Sequence, residues 1–360
     1  MEEEEKKARL CFSAFSLVGP KRFRLLLNFF GSAAAAWQGS ESKWKEIGLP
    51  EKLVEKFFDF RQNFDYSSYL LRLRKGQVRP LYFDDKNYPE SLIRIDGAPF
   101  LLYTIGEILP EDCLAISVVG TRRVTGYGQE VTERLVTSLV ASKMTIVSGL
   151  AYGVDLVAHK TALSTGGRTI GVWAGGLDTV EAGFRHTLVE QIVKGKGAIV
   201  SEFPLGFHPN RTTFPQRNRI ISGLSLGVLV TEAAEDSGSL ITAEYARKQG
   251  RPVFAVPGPI TSVLSKGTAT LIKEGAKLVY DTDDILGELD VKSKIKYQKS
   301  KMILPENKDE KIILDLLENE SKNIDEIARE TGMEIAKVSG LLTLMEMKGM
   351  VKSRDGEYGI

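Results

Sequence analysis

The chain has little of what most function classes need at their centres. Its 360 residues contain two cysteines, Cys11 and Cys113, too few for a disulfide framework or a cysteine-built zinc site, which fits a reducing compartment. The three histidines, His159, His186 and His208, stand far apart without ligand spacing, so no metal is expected. No apolar run approaches the roughly 20 residues that cross a bilayer. The start, MEEEEKKARL, is acidic where a secretory leader is basic and then apolar. These features predict a soluble, cytoplasmic protein with no membrane partner. Strong net charge is missing too: 48 Lys and Arg against 47 Asp and Glu leave +1, so any polyanion must be met by a local patch.

Nucleotide and hydrolase fingerprints are also absent. The segment VVGTRRVTGYGQE at 118–130 has the wrong glycine spacing for G-x-G-x-x-G, and the next strand ends in VSGLA without an acid for a ribose hydroxyl. No G-x-x-x-x-G-K followed by Ser or Thr occurs, which argues against a Walker-type ATPase as it does against NAD, and no cofactor is expected. GLSLG at 223–227 spells G-x-S-x-G, but it leads from helix into strand, the reverse of a nucleophile elbow, and no His stands beside Ser225. No catalytic residue is predicted.

What is present divides the chain by pattern. Residues 1–75 read as helical, with LVGPKRFRLLLNFFGS and EIGLPEKLVEKFFDF each setting a Gly and Pro turn before an apolar helix. That suggests a small SAM-like or helix-hairpin-helix-like domain whose glycine turns serve either a phosphate backbone or packing alone. Residues 76–111 are turn-rich and predict a connector with short strands. From 112 to 290 short continuous apolar runs, LAISVVG, TIVSG, RTIGVWAG, AIVSE, LGVLVTE, PVFAVPG and KLVYD, alternate with segments of helical length. Continuous rather than alternating apolarity means both sheet faces are covered, so the fold class is α/β with an extended Rossmann-like, doubly wound, mostly parallel sheet. Residues 291–305 open with VKSKIKYQKSK and predict a basic linker. Residues 306–360 show three helical periods, a TGM turn and a short hairpin-like end, a winged-helix-like pattern. Its recognition-helix segment EIAKVSGLLTLMEMKG holds only Lys337 and Lys348 as cations, so protein contact is weighed there at least equally with DNA.

In such sheets ligands gather outside the carboxyl ends of the strands. Those loops hold Arg122 and Arg123 in the first, Gly149 and Gly153 with Asp155 in the second, Gly175 and Gly176 in the third, and Ser237 and Gly238 before a helix in EDSGSLITAE. After the fourth strand, RTTFPQRNRIISG brings Arg211, Arg217 and Arg219 around Phe214 and Asn218. Cations that track a backbone beside a ring are what unpaired nucleic acid needs, since phosphates take guanidinium forks and a free base takes a stacking surface. The competing assignment puts Phe214 in the core and pairs Arg217 and Arg219 with Glu202 or Glu232. Two rival functions remain open: a nucleoside monophosphate phosphoribohydrolase-like enzyme with Glu244 as its acid, though the Pro-Gly-Gly-x-Gly-Thr run is missing, and a protein-only scaffold.

Taken together VVGTRRVTGYG, SGLAYGVDLVAHKTAL, GGLD, SEFPLG, FPQRNRIISGLS, TEAAEDSGSLITAEYARKQGR, VFAVPG and GTATLIKEGA closely resemble the bacterial DNA-processing family DprA, also called Smf, over residues 80 to 285. The resemblance implies a single-stranded DNA binder that protects incoming strands in natural transformation and loads RecA recombinase past single-strand-binding protein. It also implies a homodimer without catalytic turnover. Residue by residue it implies phosphate contact at Arg122 and Arg211, a backbone contact at Gly206, base contact at Phe214, and a dimerising helix with Leu271 and Ile272 as anchors. One departure is WAGGLD followed by TVEAGFRH, where the family usually has a Tyr-Pro pair, so the local loop differs.

Overall fold

The computed structural model of the chain describes residues 3–180, 184–195, 197–291, 307–317, 320–347, 350–354 and 356–359, and it separates into two compact units, Met1–Glu288 and Leu289–Ile360. Apart from Val291, the basic linker lies outside the described residues, as do 181–183 in the divergent loop. No helix among the described residues is long and apolar enough to cross a membrane.

The first unit begins with helices α1 (Glu3–Ala14), α2 (Pro20–Phe30), α3 (Ala33–Gln38), α4 (Glu41–Glu46), α5 (Glu51–Asn63) and α6 (Tyr66–Lys75). The expected Gly and Pro turn is local chemistry: Gly19 is the extended N-cap of α2, Pro20 needs no amide partner in the first turn, and Gly31 closes the helix at φ +83. Apolar spacing turns Phe12, Phe23, Trp44 and Phe57 inward, where Trp44 and Phe57 stack at 3.9 Å.

Next come β1 (Arg79–Tyr82), α7 (Glu90–Ile93) and β2 (Leu101–Gly106). The alternation then runs β3 (Ala115–Val119), α8 (Gly126–Ala141), β4 (Thr145–Gly149), α9 (Val154–Ser164), β5 (Thr169–Val172), α10 (Phe184–Lys194) and β6 (Ala198–Ser201). It continues through α11 (Thr213–Gly223), β7 (Val228–Val230), α12 (Gly238–Lys248), β8 (Val253–Ala255), α13 (Lys266–Lys273), β9 (Lys277–Leu278) and α14 (Asp283–Glu288). The nine-stranded sheet has the order β1-β2-β6-β5-β4-β3-β7-β8-β9, parallel from β6 to β9. Every residue of β3 to β8 is buried, the consequence of helices on both faces that their unbroken apolarity predicts.

The stretch expected to be a connector does more. β1 and β2 pair antiparallel, and β2 joins β6 antiparallel, Tyr103 opposite Ser201, so the sheet is extended at that edge. Strand order doubles back at β3, whose neighbours are β4 and β7, and α11 crosses from β6 to β7 over that reversal. A crevice at the carboxyl ends of β3 and β7 follows from the topology.

Leu271, expected as an interface anchor, is buried within the chain itself. α13 turns it into the main core, where it is 4% exposed, and Ile272 packs against the same cluster. The apolar groups left in solvent at this end are Ile260, Val263, Leu278 and Tyr280.

The second unit contains helices Lys308–Leu317, Ile324–Thr331 and Ile335–Met347 and a small sheet in which 357–359 lies between 322–323 and 352–354. The expected turn is there, with Gly332 left-handed at φ +69. The last helix exposes Ile335, Leu344 and Met347, and its Lys337 is paired with Asp309 at 2.6 Å.

Candidate nucleic-acid interface

A cleft of about 720 Å³ occupies the reversal point. Its first wall is the loop after β3. Gly120 has no room for a side chain, because a Cβ there would strike Val154 and the Glu232 carbonyl. The Thr121 amide donates to the Glu232 carbonyl at 2.7 Å, and Glu232 Oε1 and Oε2 accept from Thr125 Oγ1 and N at 2.6 and 2.9 Å. Glu232 therefore pins a loop and pairs with no arginine among the described residues. The pinned loop projects Arg122 and Arg123 outward, and neither forms an ion pair among the described residues.

Opposite stands the start of α11. Arg211 is exposed and lines the cleft, while Phe214 is half-buried with one face under the Arg122 guanidinium, 5.3 Å from the ring centre. A cation on a ring is worth about 0.5–1 kcal/mol at such a site. Here it also holds the two groups in register before any ligand arrives. The ring is half-buried rather than in the core, whereas Arg219 does pair with Glu202, as the competing assignment expected.

The third wall is the N-terminus of α12. Ser237 caps it, Ser237 Oγ accepting from the Ser239 amide at 3.4 Å, and Gly238 is open to solvent. Asn218 ties α11 to this point, donating from Nδ2 to the Gly238 carbonyl at 3.2 Å and accepting from Arg217 Nε at 3.3 Å. The free amides of an eleven-residue helix favour negative charge at this wall.

The floor is ionic. Arg217 is 4% exposed and donates to the Val172 carbonyl, so it acts from beneath rather than reaching out as expected. Asp155 lies beside it, and burial pushes its carboxyl up to about 7 against the opposing pull of the Arg217 charge. Burial draws Arg217 down to about 10, leaving it charged at neutral pH. One turn further along α9, His159 is pushed down to about 3 by burial and then by Arg217; its Nδ1 meets Thr169 Oγ1 at 2.7 Å, and its Nε2 has no close hydrogen-bond partner among the described residues. The i, i+4 pair Asp155 and His159 on an otherwise apolar helix face was the available signal for this floor.

Several expected contacts are placed elsewhere by packing. A Cβ on Gly149 would lie 2.6 Å from the Arg217 guanidinium, and Gly153, at φ +79, makes way for the Thr121 carbonyl and Arg122 backbone. At both positions the missing side chain makes room for protein neighbours. Gly206 does not line the cleft: its amide donates to Asp178 Oδ1 at 2.8 Å, near Arg72. Arg219 points to the other side of α11, in a bidentate pair with Glu202 at 2.7 and 2.6 Å. Glu244, the acid of the hydrolase alternative, is exposed outside the cleft and paired with Lys248 at 2.6 Å. Among the described residues no cluster of three His, Cys, Asp or Glu could hold a metal ion.

Residues 79–290 match the family model described as DNA recombination-mediator protein A, and residues 301–357 match the DprA winged helix domain. The Smf protein of Synechocystis sp. is 32% identical over 393 aligned positions, covering 99% of this chain and 98% of that one. The crystal structure of DNA processing protein A from Streptococcus pneumoniae superposes with a TM-score of 0.65 at 33% identity, over 80% of this chain and 98% of its own. DNA processing protein A from Helicobacter pylori, solved for its single-stranded DNA binding mode, gives a TM-score of 0.52 at 30% identity, over 59% of this chain and 95% of that one.

Proposed function

We propose, from the premise that the chain belongs to the DNA recombination-mediator protein A family, that it binds single-stranded DNA without sequence preference along the cleft and delivers it to a recombinase. The observation that supports this most is the Arg122 guanidinium seated on Phe214 within a cleft whose other outward cations, Arg123 and Arg211, have no ion-pair partner among the described residues. Phosphates would take the arginines and the α12 amides, and an unpaired base would take the free edge and face of Phe214. Duplex DNA, its bases already stacked, leaves that ring unused.

The binding test is fluorescence anisotropy with oligothymidine and with duplex of equal length across a salt series. Affinity for the single strand should fall with a log–log slope of about −0.7 per phosphate neutralised, and Arg211→Ala should flatten the slope by about that amount. Equal affinity for duplex would sink the stacking argument.

The finer steps are part of the same proposal. Delivery to RecA predicts that the protein restores RecA filament formation on strands coated with single-strand-binding protein, and failure to do so would leave a binder alone. A homodimer would use the exposed Ile260, Val263, Leu278 and Tyr280. Sedimentation of Tyr280→Lys against wild type tests that face.

A further inference from the structure

α11 separates the cleft from a second cavity. Consecutive residues fall on opposite sides of it: Pro215 and Asn218 line the cleft, Gln216 and Arg219 line a groove of about 580 Å³ between the core and the N-terminal helices. The groove's floor resembles the cleft's, with a half-buried arginine beside a carboxylate, here Arg219 on Glu202 at 2.6 Å. Its rim has Lys21 and Arg22, next to the start of α2 where Gly19 provides no side-chain cap, and Lys248 from the end of α12. Its walls present two half-buried rings, Phe203 and Tyr245. Each cavity is thus lined by four cations and two carboxylates, the groove by Lys21, Arg22, Arg219 and Lys248 with Asp96 and Glu202.

Arg22 donates to the exposed Leu17 carbonyl at 2.6 Å, and the two rim lysines are held weakly. Lys21 meets Asp96 at 3.2 Å with both side chains more than three-quarters exposed, and Lys248 meets Glu244 on an exposed helix face. Pairs of that kind contribute about 0–1 kcal/mol, so a phosphate can replace the carboxylate at little cost. The ridge between the cavities is one helix, roughly 10–12 Å across, and its crest shows the uncharged Thr212 and Gln216 to solvent.

We propose that the groove is a second subsite for the same unpaired DNA strand, which leaves the cleft, crosses α11 at Thr212 and Gln216, and places phosphates on Lys21, Arg22 and Lys248 and bases against Phe203 and Tyr245. This rests on the cleft being the first subsite. The N-terminal helices then set the length of strand held by one subunit.

The test compares full-length wild type with the triple variant K21A/R22A/K248A on oligothymidines of about 5 and about 20 nucleotides, bracketing one subsite and both. The variant should bind the long strand on the order of tenfold more weakly, with a salt slope shallower by about 2, and bind the short strand as wild type does. Unchanged long-strand affinity and slope would overturn the groove while leaving the cleft intact. No binding of either strand by wild type would instead remove the cleft and the groove with it. As a check independent of substitution, a photoreactive thymidine at one end of the long strand should crosslink to the peptides containing Phe203 or Tyr245; crosslinks confined to the cleft would also overturn the proposal.

Discussion

Arg217 and Arg219 sit two residues apart on α11 and serve different cavities. Arg217 enters the cleft floor beside Asp155, where it is enclosed and held by a backbone carbonyl, while Arg219 enters the groove floor in a two-pronged pair with Glu202. The cleft adds Arg122, Arg123 and Arg211, free of ion pairs among the described residues, and a ring already under one of them; the groove adds Lys21 and Lys248, engaged by exposed carboxylates, and Arg22, which donates to the Leu17 carbonyl. Identical residue types in one helix thus give a pre-assembled surface on one side and a latent one on the other. The difference lies in what the rest of the fold sets opposite each face.

The strongest way to break the comparison is at the floors. Arg217→Met should cost about 3–5 kcal/mol, since it strands a buried carboxylate, and would be read as a fall in denaturant midpoint at pH 8. Arg219→Met should cost a similar amount through Glu202. The two differ in pH dependence. Asp155 has a folded-state value raised to about 7 against about 3.9 unfolded, so between those values the native state binds the extra proton and stability falls as pH rises through the window. Asp155→Asn should flatten that fall, measured by denaturant melts from pH 4 to about 8; an unaltered profile would assign the dependence to another group.

Next in size is the ring. Phe214→Ala should weaken oligothymidine binding by about 1–3 kcal/mol, some 5- to 150-fold, with an unchanged salt slope because no charge is lost. A changed slope with constant affinity would mean the ring only positions Arg122. Smaller again, Arg123→Ala should alter the slope by about 0.7 and little else. The smallest effect is expected in the second unit, where Met347→Ser, on a helix whose outward residues Ile335, Leu344 and Met347 are apolar, should leave single-strand affinity within about twofold, since the apolar side chain has no phosphate to meet.

Much of this is legible in the sequence. The strands from β3 to β8 were readable because burial on both faces leaves no charged residue in them and only short Ser and Thr side chains as polar ones, and the start of α2 because Gly19 and Pro20 are local chemistry. The edge strands β1 and β2 were only half readable: their residues suit strands, but their antiparallel union with β6 is a pairing of segments about 100 residues apart. Arg122, Arg211 and Phe214 were readable as a patch from type and loop position. Gly206 and Gly149 were not, because a glycine spared for a ligand and one spared for a neighbouring side chain look alike until the neighbour is seen.

The sequence by itself determined the alternation of strands and helices, the carboxyl-edge location of the basic loops, and the presence of a ring among arginines. These follow from short-range sterics and from apolar periodicity. Only the tertiary structure decided which arginine faces which cavity, that Leu271 is spent in the core, and that a groove lies behind α11. Each of those depends on how a helix is rotated against segments distant in the chain, and a rotation of about half a turn would exchange the faces that Arg217 and Arg219 present.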